Sequence, residues 1–171
     1  MDHLQGAIEA LQTRLGEGLV ARDDFRGQVC LDLAPASLLP AARLLRDEWD
    51  FNFLAGLTAS DAWPAEPRFS LIYVLYSISR NTFVRLRVRL PGTGPEVDSL
   101  EAVYPAANWH EREVFDMFGV IFRGHSDLRR ILLPYEWVGH PLRKDYPLGY
   151  EEVQFSFNFD EIDKRKPYAK E

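Results

Sequence analysis

The chain has 171 residues, 46% of them hydrophobic and 27% charged, with a net charge of −6 and one cysteine, Cys30. That length can bury a single core of ordinary size without help from disulfides or metal. The acidic balance excludes a broad nucleic-acid-binding face, which needs clustered Lys and Arg, and a lone thiol excludes both an intrachain disulfide and an iron–sulfur cluster held by this chain's own cysteines, which takes about four.

At the N-terminus, Asp2 caps a predicted helix in which Leu4, Ala7, Ile8, Leu11 and Leu15 recur at helical spacing, and Gly16 and Gly18 end it. There is no basic stretch followed by an apolar one, as a secretory signal would require. Gln28 to Leu33 alternates as a strand, with Val29, Leu31 and Leu33 on one side and Cys30 on the other. Pro35 and Ser37 open a second helix carrying Leu38, Ala41, Leu44, Leu45 and Trp49, with Pro40 in its first turn. Phe51 to Thr58 reads as a short strand, and the prolines between Asp61 and Pro67 mark a turn.

Phe69 to Ile78 and Thr82 to Leu90 form a predicted antiparallel hairpin. The longest apolar run, Leu71 to Tyr76, lies in its first strand and is far short of the ~20 residues that span a bilayer. The reading is a cytoplasmic chain that meets a membrane only through a partner. In the second strand Val84, Leu86, Val88 and Leu90 face the core, while Arg85, Arg87 and Arg89 line the other face. Those arginines fit a solvated sheet face with acidic cross-strand partners, or a binding face for an acidic partner. Beyond the breaker Pro91–Pro95, the pairs Asp98/Glu101 and Asn108/Glu111 have the spacing of capping boxes, one for a short helix ending near Tyr104 and one for a helix running to Phe118 and stopped by Gly119.

From Asn108 to Asp145, charges of both signs sit among Trp109, Phe115, Phe118, Phe122 and Trp137. A core helix would have one apolar face and a solvated remainder. Enzyme-like sets are weak here. His110, His125 and His140 are fifteen residues apart, unlike paired zinc ligands. Glu111 and Glu113 point away from each other on a helix. A hydrolase or metalloenzyme using His110, His125 and Glu113 stands only as a remote alternative.

The run Glu111-Arg112-Glu113, two residues, Asp116-Met117-Phe118, six residues, His125, three residues, Arg129, one residue, Ile131-Leu132 is similar to the signature of the thirty-kilodalton subunit of respiratory complex I, the proton-pumping NADH:quinone oxidoreductase. The stretches GHSDLRRIL and GHPLRKDYP resemble the same family, except that Ser126 stands where a proline is expected. The resemblance implies an α+β domain, an antiparallel or mixed sheet packed by helices, over residues 1–122. A charged, partner-wrapping segment and extended tail follow over residues 123–171.

It further implies a scaffold in the peripheral arm on the cytoplasmic side of the cell membrane. This chain would hold no cofactor. Iron–sulfur clusters, FMN and quinone would belong to other subunits, and the partners would be the large subunit that helps form the quinone pocket and neighbouring cluster-bearing subunits. The same role in a ferredoxin-using dehydrogenase or membrane-bound hydrogenase is the alternative. The expected partner interface comprises Glu111, Arg112, Glu113, Asp116, His125, Asp127, Arg129, Arg130, Trp137, His140, Arg143, Lys144 and Asp145, with Phe155 and Phe157 from the tail. Arginine–carboxylate pairs supply specificity and aromatic side chains the anchors. For Arg112, Asp116, Asp127 and Arg129, pairing inside the chain is equally open.

Overall fold

The computed structural model describes residues 3–147 together with Phe157, Asp160, Glu161 and Lys164. Its elements run α1 (His3–Leu15), β1 (Leu19–Phe25), β2 (Gln28–Leu33), α2 (Leu38–Trp49), β3 (Phe53–Asp61), β4 (Phe69–Ser77), β5 (Thr82–Leu90), β6 (Glu96–Asp98), α3 (Ala107–Phe118) and β7 (Ile121–Arg123). Strands β1 to β5 form one mixed sheet in the order β1-β2-β5-β4-β3, in which only β2 and β5 run parallel. Strands β6 and β7 make a separate parallel pair.

Alternation explains the sheet. Phe69, Leu71, Tyr73 and Leu75 of β4 meet Leu90, Val88, Leu86 and Val84 of β5 across the ladder, and all are buried. Leu31 and Leu33 extend that layer through β2. The helices close over this one face: Ala7, Ile8 and Leu11 of α1, Ala41 and Leu45 of α2, and Val114 and Phe118 of α3 join the same core. Gly6 allows α1 to lie against α2, since a Cβ there would sit 2.6 Å from the Trp49 ring.

Several elements differ from the periodicity. Strand β1 carries no apolar alternation; Val20 and Phe25 are exposed and Arg22, Asp23 and Asp24 keep it polar, so it is held by its backbone ladder to β2. Strand β3 starts two residues after Phe51, which is fully buried instead. Asp50, in left-handed geometry, ends α2, and Tyr104 Oη donates to the Phe51 carbonyl at 2.7 Å. The short helix expected between Asp98 and Tyr104 does not form. The Asp98 carboxylate takes a bond from Arg123 Nε at 2.9 Å across the β6–β7 pair, and Glu101 to Val103 form only a turn. Helix α3 begins at Ala107, one residue before the expected cap Asn108, and no side chain caps it. Asp2 lies outside the described residues. No helix among them is long and apolar enough to cross a membrane.

Leu86 is fully buried at the sheet centre. Leu86→Ala is expected to lower unfolding free energy by about 2–5 kcal/mol, read as a lower urea midpoint with an unchanged slope.

Candidate functional site

The signature residues meet where α3 carries the chain after β7. From Gly124 to Pro147 the backbone forms no helix or strand, so its polar groups must find partners other than a ladder. Asp116 supplies several. Its fully buried carboxylate accepts from Arg130 Nη1 at 2.6 Å, and from the N–H groups of Ile131, Leu132 and Leu133 at 3.0, 2.8 and 2.9 Å. Burial pushes its pKa up, but these bonds together outweigh that and hold it below the usual carboxylate value. Arg130 continues inward, donating through Nη2 to the carbonyls of Trp137 and Gly139, both at 2.9 Å.

The stretch from Gly139 to Arg143 caps the far end of α3. An α-helix leaves its last four carbonyls without partners. Here His140 Nδ1 donates to Asp116 O at 3.0 Å, Leu142 N–H to Met117 O at 3.1 Å, and Arg143 Nε to Phe118 O at 2.6 Å. A guanidinium is also favoured at this negative end of the helix dipole. Gly119 takes the left-handed position after the helix at φ 73°, and a Cβ there would lie 2.5 Å from both Arg143 and His140.

Arg68 anchors the end of the segment. Its guanidinium lies between Asp61, at 2.7 Å, and Asp145, at 2.6 Å, and stacks over Phe69. The backbone N–H of Lys144 also reaches Asp61, at 2.9 Å. The Arg68 bonds, against the cost of burial, bring the Asp61 pKa down to about 2.

Two further carboxylates hold the near end. Glu111 is fully buried and accepts from Ser99 Oγ at 2.6 Å and Leu100 N–H at 2.7 Å. Burial exceeds those bonds and raises its pKa to about 7. Glu101 accepts from Ser126 Oγ at 2.7 Å and Ser126 N–H at 2.8 Å, which bring its pKa down to about 2. A proline at position 126 could donate neither bond.

The charged motif therefore faces inward more than the sequence suggests. Glu111 and Asp116 offer no surface to a partner; each is buried because it satisfies otherwise orphaned donors. Arg130, Arg143 and His140 hold backbone carbonyls, and Arg112 donates to the carbonyls of Arg129 and Arg130 while stacking over Trp109. Asp127 pairs with Arg129 at 2.6 Å, on the surface. His125 donates from Nε2 to Asn108 O at 3.1 Å and accepts at Nδ1 from Asp127 N–H at 3.0 Å. Both ring nitrogens are thus occupied, against a ligand role. Among the described residues no three metal-ligating side chains come together.

Glu113 and the Lys144 side chain are exposed, as is Phe157, and Phe155 lies outside the described residues. Beside these charges, several large apolar side chains of the segment also face outward: Tyr135 at 95% and Leu132 at 62%, with Trp137, Val138 and Leu142. Arg68, Asp61 and Ser99 escape motif reading because they come from strands and turns distant in sequence. The unusual Ser126 was the one local signal for the Glu101 contact.

The family described as "Respiratory-chain NADH dehydrogenase, 30 Kd subunit" matches residues 31–152. An NADH-quinone oxidoreductase subunit of Roseiflexus sp. (strain RS-1) is 46% identical over 166 residues, 96% of this chain and 95% of that one. Its counterpart in Geobacter sulfurreducens is 40% identical over 143 residues, 83% and 88% of the two chains. Among solved structures, the trypsin-resistant fragment (1–134) of Nqo5 superposes with a TM-score of 0.66 at 26% identity, covering 74% of this chain and 99% of the fragment. A chain of the membrane-bound sulfane sulfur reductase, an archaeal respiratory membrane complex, gives 0.67 at 22% identity over 86% and 87% of the two, a likeness of fold alone.

Asp116→Asn removes the charge that Arg130 and three backbone N–H groups share. A loss of about 3 kcal/mol or more is expected, with hydrogen exchange at Ile131, Leu132 and Leu133 rising before global unfolding. Glu111 has the opposite signature. Its pKa is raised on folding, so its contribution is complete below about 4.5 and declines by ~3 kcal/mol as pH rises to about 7. Glu111→Gln keeps both hydrogen bonds and should flatten denaturant stability across that window; an unchanged slope would assign the dependence elsewhere.

Proposed function

This chain belongs to the family of the 30 kDa subunit of respiratory-chain NADH dehydrogenase, the NADH:quinone oxidoreductase, and from that premise we propose that it is a cofactor-free scaffold of the peripheral arm. It takes part in an enzyme complex of several subunits. The scaffold grips the large subunit that helps form the quinone pocket, on the cytoplasmic side of the membrane, while other chains carry the iron–sulfur clusters, FMN and quinone. Electron transfer coupled to proton translocation is then a property of the whole assembly.

One observation carries this reading. Arg130, His140 and Arg143 are spent on the chain's own groups, chiefly backbone carbonyls, whereas Leu132, Tyr135, Val138 and Leu142 are turned to the outside, with Glu136 the exposed charge among them. A free domain gains nothing by exposing them. In an assembly they become the anchors, since apolar and aromatic side chains at an interface centre carry most of the binding energy. Arg130, His140 and Arg143 then act by fixing the loop before the partner arrives, which lowers the ordering cost of association.

In this proposal the exposed Trp109, over which Arg112 stacks, is assigned to the same partner, as are Phe155 and Phe157 of the tail. Permanent assemblies bury above roughly 2,000 Å² in total, and this interface should be of that class.

The test uses side chains that hold nothing inside the domain. Leu132→Asp together with Tyr135→Ala should leave circular dichroism and thermal midpoint unchanged but weaken capture of the large subunit by about a hundredfold. Capture at wild-type level would move the interface to another face.

A further inference from the structure

Helices α1, α2 and α3 contribute their buried side chains to one face of the sheet, and the opposite face is distinct from that core. Its residues are set by register: Ser70, Ile72, Val74 and Tyr76 of β4 lie opposite Arg89, Arg87, Arg85 and Phe83 of β5. Cys30 and Asp32 of β2 flank Arg85 and Arg87, and Phe53 of β3 flanks Tyr76. Ile72, Val74, Tyr76 and Phe83 are half-buried, yet none belongs to the core or packs against it. A sheet with one solvated face normally shows polar residues there. The middle of this one instead carries an apolar row beside a row of guanidinium groups.

The charges on this face do not balance. In a chain of net charge −6, it holds Arg85, Arg87 and Arg89 against Asp32 and the more distant Asp23. Asp32 is shared: Arg87 donates to both its oxygens and Arg89 reaches it at 3.2 Å. Arg85 has no carboxylate within ion-pair distance among the described residues; its guanidinium lies 5.8 Å from the Phe83 ring centroid. Solvation of the arginines explains their exposure, but not the aliphatic row beside them on β4.

The face also adjoins the segment already assigned to a partner. Ser70 and Arg89 stand at the end of the sheet where Arg68 and Asp61 hold Asp145.

We propose that the outer sheet face is a second docking surface, taking an acidic segment of a neighbouring subunit, with an apolar side chain seated on Ile72 and Val74 and carboxylates on Arg85 and Arg89. This rests on the scaffold reading above. The partner is identified by its chemistry: guanidinium forks bind carboxylates in two-pronged geometry, and positive and negative patches steer association. The aliphatic row supplies the dry centre that such contacts need to persist.

The experiment keeps the two proposals apart. A photoreactive phenylalanine analogue is placed at Val74 in one strain and at Tyr135 in another, and the intact complex is irradiated and its cross-linked peptides sequenced. A Val74 cross-link to an Asp- and Glu-rich peptide of another subunit supports the proposal. Its yield should fall by about tenfold in Arg85→Glu, while the Tyr135 cross-link and the assembly yield stay as they were. Cross-linking of Val74 to this chain's own residues 148–171, to a peptide without carboxylates, or to nothing would overturn it, whatever the Tyr135 result. Loss of the Tyr135 cross-link alone would count against the scaffold interface instead. Should Arg85→Glu impair folding, Arg85→Gln removes the charge with less disturbance and must show the same selective loss.

Discussion

A single buried carboxylate organises the irregular segment from Gly124 to Pro147. Asp116 is held ionised by one guanidinium and three consecutive backbone N–H groups. A stretch without regular structure has no ladder to satisfy its donors, and an unpaired buried donor costs about 1–3 kcal/mol. One anion that takes four donors at once removes that cost and fixes the path of residues 130–133. The arrangement only works because α3 places Asp116 facing the segment and not solvent, which in turn depends on Val114 and Phe118 being seated in the core.

The helix returns the relation. Its C-terminal carbonyls are filled by His140, Leu142 and Arg143, so segment and helix each satisfy the other's orphaned groups. Gly119 is required at the junction: it supplies the left-handed turn and leaves the space that Arg143 and His140 enter. Arg68 then ties the far end to the sheet through Asp61 and Asp145. These charges are poor sources of net stability, because desolvating ions offsets most of their attraction. Their effect is geometric, since each has one arrangement in which all its bonds are made.

That division of labour bears on function. Charged residues in a family signature invite an account in which they meet a partner directly. Here many of them instead shape and hold the loop, on which Leu132, Tyr135, Val138 and Leu142 are exposed. Substitution at Arg130 or Arg143 would therefore disturb a complex by loosening the part, even with no contact across the interface. On the outer sheet face the arginines have a different setting, with Arg85 lacking a carboxylate and an aliphatic row beside it.

The hairpin β4–β5, strand β2, helices α1 and α2 and the family are legible along the chain, because alternation, helical spacing and an ordered run of charged residues are local patterns. The sequence did not disclose β1, whose polar side chains bury nothing and whose existence rests on backbone pairing with β2. Nor did it distinguish strand from capped helix at Asp98: the partner that decides, Arg123, is 25 residues away. The capping spacing of Asn108 and Glu111 was real, but their side chains serve other groups, Asn108 reaching Glu101 and Ser126 and Glu111 reaching Ser99 and Leu100. Which charges point inward is settled by the folded core and not by local pattern. A carboxylate's partner is set by where distant backbone donors fall once the core has closed, and no spacing along the chain encodes that position.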